Sequence, residues 1–349
     1  MDYQAPVDIF WAIQQAESGR HFSMEQMAAL IGLIMEGWVG EEEMARLLTA
    51  LHRKGETSAE VAGAAQAMRR YMSAIRHRYS VLVDVVGTGG DGSGTFNIST
   101  AAALVTAAAG VPVAKHGNRR ATSRSGSADV LAALGVDIEA DLARVEKCLD
   151  ELGICFCFAP LCHRSMQYVA PVRRRLPHPT IFNLLGPLTN PAGASYQLIG
   201  VGRAELRPVL AEAAALLGTG RTLVVHGADG LDEVSLAGPT WVSEIIGHTH
   251  QQEYQWTASD FGLRPVGREE LQAASPAQSA QIIRQILAGQ PGGPRDVVLA
   301  NVAAALWCAG VVSNLPEGVQ RAAQAIDTGK AQQLLNQLIQ RTHAGPSGT

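Results

Sequence analysis

The sequence predicts an α/β protein in which a small N-terminal helical domain joins a larger domain with a mainly parallel central sheet flanked by helices. Three observations carry that prediction. The first 75 or so residues show only helical periodicity. From residue 81 short β-branched runs alternate with helical stretches. The chain has 349 residues, 47% of them apolar, enough material for two cores.

In the first part, Ile9, Ile13 and Ala16, then Met27, Leu30, Ile31 and Ile34, then Met44, Leu47, Leu48 and Leu51 recur at three- and four-residue spacing. Ser23 before Met24-Glu25-Gln26 reads as a capping box, and Ser58 opens the next helix with Glu60 close behind. Short amphipathic helices with short links make a bundle, expected over residues 1–75 as a packing or dimerisation unit without chemistry of its own. Residues 76–349 form the second domain. Strands are expected at Val81–Val86, Val111–Ala114, Ile154–Phe158, Gln197–Val201 and Thr222–Val225. Helices are expected between them at Ile98–Ala109, Leu142–Leu152 and Ala204–Leu217. Thr240–Ile246 and Gln251–Trp256 read as antiparallel additions. The chain from Val297 reads as helix again, with a frayed tail from Ala344.

Composition narrows the function. Charged residues are 17% and the net charge is −4, so global charge does not drive nucleic-acid binding, and a charge-poor surface suggests a subunit interface. The N-terminus lacks a basic start followed by an apolar run. The mild run Ala101–Ala114 is too short to span a bilayer, so a cytoplasmic protein with no membrane partner is expected. Five cysteines argue against a disulfide framework. Cys155 and Cys157 fall in a strand that reads as buried, and no second Cys-x-x-Cys pair completes a metal set with Cys162 and His163.

The chemistry concentrates in four segments. Gly87-Thr88-Gly89-Gly90-Asp91-Gly92-Ser93-Gly94-Thr95-Phe96-Asn97-Ile98-Ser99-Thr100 runs from a strand through a glycine-rich turn into a helix, which describes a phosphate cradle. Gly87-x-Gly89-x-x-Gly92 matches the dinucleotide fingerprint only formally, since no acid lies between Gly92 and Ala128 to hold a ribose. No Gly-Lys-Ser/Thr follows to make a Walker A loop. Asp91 would repel a bare phosphate and makes sense beside Mg²⁺ or a ligand hydroxyl. Lys115, His116, Arg119, Arg120 and Arg124 give the acid-free window a local positive field just after a strand, fit for a polyanion. Ser125 or Ser127 would cap the helix that follows. Asp229, Asp232 and Glu233 follow the Thr222–Val225 strand, where carboxylates suit Mg²⁺. Arg173-Arg174-Arg175 end a helix, a position that suits the helix dipole and also a bidentate grip on a substrate carboxylate.

Taken in order, Gly87-Thr88-Gly89-Gly90-Asp91, Asn97-Ile98-Ser99-Thr100, Lys115-His116-Gly117-Asn118-Arg119, Thr180-Ile181-Phe182-Asn183-Leu184-Leu185-Gly186-Pro187-Leu188 and Asp232-Glu233 closely resemble the anthranilate phosphoribosyltransferase family. The likeness runs over roughly residues 8 to 340. It implies transfer of the phosphoribosyl group of phosphoribosyl pyrophosphate to the amine of anthranilate, giving N-(5-phosphoribosyl)anthranilate and pyrophosphate in tryptophan biosynthesis. It also implies Mg²⁺ as cofactor, a fold like that of nucleoside phosphorylases, a contribution of about residues 163–187 to the helical domain, and a homodimer through that domain. By matching motifs, Gly87, Gly90, Asp91, Thr95, Asn97, Ile98, Ser99, Thr100, Lys115, Gly117, Asn118, Arg119, Ser123 and Ser127 would hold phosphoribosyl pyrophosphate. Gly87, Asn118, Arg173, His116 and Gly186 would meet anthranilate, and Ser99, Asp232 and Glu233 would ligate the metal. No general base is assigned, because an aromatic amine is neutral at pH 7; His116 is the one candidate to take the proton afterwards. His163-Arg164, Pro177-His178-Pro179 and Arg124 depart from the family's usual pattern. Two other readings remain: a pyrimidine-nucleoside phosphorylase using inorganic phosphate, and a non-catalytic relative binding nucleic acid through the basic loops.

Overall fold

The computed structural model describes residues 8–119 and 126–343, so Arg120, Ser123, Arg124, Ser125 and the tail from Ala344 lie outside the described residues. The chain opens with α1 (Ile9–Glu17), α2 (Met24–Met35), α3 (Glu41–Lys54) and α4 (Ser58–Tyr71). Three of these four starts carry a side-chain cap, from Asp8, Ser23 and Thr57. Ser23 and Gln26 form the capping box of α2. At α4 the cap is Thr57, whose Oγ1 accepts from Glu60 N at 3.3 Å while Glu60 Oε2 accepts from Thr57 N at 2.8 Å. Glu60 is fully buried and also receives Lys54 Nζ at 2.6 Å and Phe22 N, so one carboxylate ties three helix ends together.

The second unit follows as β1 (Val83–Gly87), α5 (Ile98–Ala108), β2 (Val113–Gly117), α6 (Ser127–Ala133), α7 (Leu142–Leu152), β3 (Ile154–Phe158), α8 (Ala159–Cys162), α9 (Ala170–Arg175), α10 (Phe182–Leu185), β4 (Tyr196–Gly200), α11 (Leu206–Leu217), β5 (Thr219–Gly227), β6 (Thr240–Gly247), β7 (Thr249–Trp256) and α12 (Pro276–Leu287). It closes with α13 (Gly293–Cys308), α14 (Leu315–Asp327) and α15 (Lys330–His343). The seven strands lie in the order β3-β2-β1-β4-β5-β6-β7. β1 to β5 are parallel and β6 and β7 antiparallel. The parallel strands are buried on both faces, which is why they read as continuous apolar runs. One face packs on α5, α6, α7 and α12–α15. The other packs on α11, and its core runs without a break into α1–α4 and the apolar side chains of Val169, Val172, Phe182, Leu184 and Leu188.

Two expectations are corrected here. β2 extends to Gly117, so Lys115 and His116 are strand residues and not part of a loop; the ladder with β3 runs through Lys115↔Phe156 and His116↔Cys157. A buried lysine reads as loop from sequence because its compensating acids are distant in the chain. Ser127 is the first residue of α6 and not its cap: Gly126 occupies that place, and its N–H donates to Asp129 Oδ2 at 3.1 Å. Cys155 and Cys157 lie side by side in β3, buried, with burial among the causes that push the Cys157 thiol up. No helix among the described residues is long and apolar enough to cross a membrane.

Candidate active site

Gly87 and Gly200 end β1 and β4 side by side, where the strand order changes direction. Open α/β sheets hold their ligands in the crevice at that point. Both positions need hydrogen as side chain, because the acidic turn after β5 lies across them. A Cβ on Gly200 would fall 1.7 Å from Asp232 O, and one on Gly87 would fall 2.7 Å from Asp232 Oδ2. Beyond Gly87, Gly89, Gly90, Gly92 and Gly94 all have φ between +65° and +78°, a backbone that side chains oppose and that suits a loop presenting its amides to an anion. The loop closes on Asn97, whose Oδ1 accepts from Thr100 N at 3.0 Å and caps α5.

Charge at this crevice is dense. Asp232 Oδ2 accepts from Gly89 N at 3.0 Å, and Glu233 Oε1 accepts from Ser99 N at 3.0 Å at the N-terminus of α5. Burial, and then the neighbouring Asp91, push the Asp232 carboxyl up to about 7; burial, and then Asp232, push Glu233 well above the carboxylate range. Asp91 Oδ2 is buried with no hydrogen-bond partner. Lys115 is the local counter-charge: its Nζ donates to Val85 O at 2.8 Å and to Ser99 Oγ at 3.0 Å, while burial pulls its own pKa down against Asp84, Glu233 and Asp232. Asp84 lies beneath, lifted to about 6 by burial and held there by Lys115, Asn190 and the His116 amide.

This donor set suits a hard divalent cation. Three carboxylates crowd together, one oxygen is orphaned, and the acids carry proton affinities that a cation would relieve. Among the described residues no three side chains are preset as a closed metal cage. The carboxylates are turned onto backbone amides, which leaves part of a magnesium shell to a phosphorylated ligand and water.

The second half of the crevice is less charged. His116 is buried between Gly186 O, 3.0 Å from Nδ1, and His163, whose Nε2 is 3.2 Å from His116 Nε2. Burial, then His163, push His116 down to about 3, and burial pushes His163 down to about 4, so both are neutral at pH 7. Arg173, in the last turn of α9, donates to Asn183 Oδ1 at 3.2 Å and lies over the Phe182 ring; among the described residues no carboxylate pairs with it. Gly117 abuts Ser127, since a Cβ there would fall 2.0 Å from Ser127 Oγ. Asn118 Oδ1 accepts from Arg119 N, and Arg119 itself is paired outward with Glu139 and Asp129. Thr95 bridges to Gln272, whereas Ile98 and Thr100 are buried behind the cap.

The glycosyl transferase family, helical bundle domain, matches residues 12–72, and the glycosyl transferase family, a/b domain, matches residues 79–332. The anthranilate phosphoribosyltransferase of Rhodopirellula baltica is 53% identical over 329 residues, covering 94% of this chain and 96% of the relative. The chain belongs to the anthranilate phosphoribosyltransferase family. Other anthranilate phosphoribosyltransferases agree. That of Rhodospirillum rubrum is 49% identical, with 95% of each chain covered. The crystal structure from Thermus thermophilus superposes with a TM-score of 0.90 at 43% identity, covering 95% of this chain and 99% of that one. The Saccharomyces cerevisiae enzyme, solved in complex with PRPP and Mg, gives a TM-score of 0.88 at 30% identity, covering 96% and 97%.

In this member of the anthranilate phosphoribosyltransferase family, sequence reasoning missed two site residues and the role of a third. Gly200 had no local signal, because its requirement comes from the acidic turn folded over it. Asp84 was hidden in an apolar strand; a lone acid amid Val81–Val86 was the available clue. His163, close in sequence to Cys162, meets His116 only through the fold.

Proposed function

We infer that the protein transfers the phosphoribosyl group of phosphoribosyl pyrophosphate to the amine of anthranilate, giving N-(5-phosphoribosyl)anthranilate and pyrophosphate in tryptophan biosynthesis. The observation that carries the reading is the crowding of Asp91, Asp232 and Glu233 against the glycine loop at the switch point of the sheet. Mg²⁺ fits that cluster, with Ser99, Asp232 and Glu233 as ligands and Asp91 beside them; when bound it neutralises charge building on the departing pyrophosphate. The amides of the glycine loop, the start of α5 and Lys115 bind the phosphates. Arg173 grips the anthranilate carboxylate, with Asn183 and Phe182 fixing the guanidinium plane. His116 holds the Gly186 turn against β2. Both its ring nitrogens are engaged, which supports a positioning role over proton acceptance.

Catalysis is then alignment plus electrostatics: the neutral amine attacks the anomeric carbon as the carbon–oxygen bond to pyrophosphate breaks, and the proton the new secondary amine sheds passes to the released pyrophosphate or to water. We read residues 1–75, with 163–187, as a helical domain and 76–349 as the catalytic domain. The exposed Phe10, Trp38 and Tyr168 support a homodimer through the helical part. Five buried free thiols support a reducing, cytoplasmic setting. The test is direct. With purified protein, anthranilate fluorescence should disappear when phosphoribosyl pyrophosphate and Mg²⁺ are both added. Persistence of the signal, or phosphate-dependent cleavage of thymidine in its place, would overturn the reading.

A further inference from the structure

Arg69, on α4, lies at the end of the sheet away from the crevice. Its Nε donates to Leu188 O at 2.7 Å, and none of its other N–H groups has a protein partner among the described residues. Among the described residues no carboxylate offsets it, and burial pulls its guanidinium below the ordinary value. An arginine keeps its charge under those conditions, so the fold carries a partly desolvated cation with nothing to balance it. Arg69 lines a cavity of about 120 Å³, several times the space one water needs, set between α4, the chain from Leu188 to Ser195, and the first residues of β4 and β5. The lining holds no acidic side chain. It does hold Ser195, whose hydroxyl makes no hydrogen bond among the described residues, and Thr219, whose hydroxyl donates to Ser195 O at 2.8 Å.

Among the described residues only two arginines, Arg69 and Arg173, are pulled down by burial with no acid to offset it. Arg173 faces the crevice, where a substrate carboxylate is the expected partner. Arg69 is at the opposite ends of the parallel strands, about 16 Å away for strands of five residues, and beyond reach of the same ligand.

We propose that the cavity beside Arg69 binds one small oxyanion, of carboxylate or tetrahedral sulfate or phosphate size, held by the guanidinium fork and the Ser195 hydroxyl. Its place also gives it a consequence. Arg69 belongs to the bundle, whereas Ser195 immediately precedes β4 and Thr219 begins β5, so an anion between them fastens the two units together on the side remote from the transfer site.

The test uses the full-length protein already saturated with phosphoribosyl pyrophosphate and Mg²⁺, so that the crevice is filled. Sulfate and acetate are titrated separately by calorimetry into wild type, Arg69→Gln and Arg69→Lys. The expected result is one additional site for at least one of the two probes in wild type, weakened at least tenfold in Arg69→Gln and partly kept in Arg69→Lys. The preferred probe separates a tetrahedral from a planar ligand. A second measurement needs no variant: the bound probe should slow phenylglyoxal modification of Arg69, followed by peptide mass mapping, at least threefold in wild type. No additional site in wild type, equal binding in Arg69→Gln, or an unaltered modification rate at Arg69 overturns the proposal.

Discussion

Asp232→Asn should make the metal-free protein more stable at alkaline pH while removing most of its activity. The folded protein lifts Asp232 to about 7, from an ordinary 3.8, through burial and then the charge of Asp91. Between about pH 4 and pH 7 the folded state therefore holds a proton that the unfolded chain has released. An acid raised in this way weakens the fold as pH rises through that window, and the loss persists above it. At about 1.4 kcal/mol per pH unit the gap is worth about 4 kcal/mol, and water entering a metal-free crevice lowers that to about 2 kcal/mol. Asparagine removes the charge at the same volume. Its Oδ1 can still accept from Gly89 N, which now bonds Asp232 Oδ2 at 3.0 Å, and its Nδ2 can serve the orphaned Asp91 oxygen. Urea unfolding in excess chelator, followed by far-ultraviolet circular dichroism, should place the variant about 2 kcal/mol above wild type at pH 8 and within about 0.5 kcal/mol at pH 4.5. In parallel, turnover should lose its ordinary dependence on Mg²⁺. A variant no more stable than wild type at pH 8 would refute the reasoning about crowded buried acids. An unchanged Mg²⁺ titration would remove Asp232 from the metal site.

Other residues give separable outcomes. Arg173→Ala should raise the KM for anthranilate about 30-fold or more, the worth of a charged hydrogen-bonding pair, and leave that for phosphoribosyl pyrophosphate within about twofold; equal effects on both would contradict the carboxylate role. Lys115→Met should cost about 3–5 kcal/mol of stability, since Lys115, only 4% exposed, balances Asp84, Asp232 and Glu233; a denaturant midpoint matching wild type at pH 7 would speak against it. Gly200→Ala should leave the circular dichroism spectrum intact yet cut kcat/KM about 100-fold, because the methyl group would displace the Asp232 turn by about an ångström; near-normal activity would mean that the turn does not have to lie where it does.

Much of the architecture was legible because it rests on local rules. The bundle helices declared themselves by three- and four-residue spacing and by Ser23 with Gln26. Among the strands, Ile154–Phe158 was read with its bounds intact, because a fully buried parallel strand is a continuous apolar run. β2 was read short for a related reason: its last residues, Lys115 and His116, are polar, and only partners from β1, β3 and the Gly186 turn make their burial affordable. α12 carried its own signal, Ser275 capping a helix that starts at Pro276, and was passed over.

The glycine loop, the acidic pair and the arginine of α9 were each visible as chemistry in the linear chain, since backbone freedom, charge and helix-end placement are properties of a few adjacent residues. What the chain alone left undecided was their mutual arrangement. Asp232 lies over Gly87 and Gly200, Glu233 reaches the start of α5, and Lys115 lies between Asp84 of β1 and the acids of the turn after β5. Those meetings depend on the order β2-β1-β4-β5, in which strands far apart in sequence become neighbours. The raised carboxyls, the neutral histidine pair and the unbalanced Arg69 arise from burial, a quantity that exists only once the sheet and helices have closed over them.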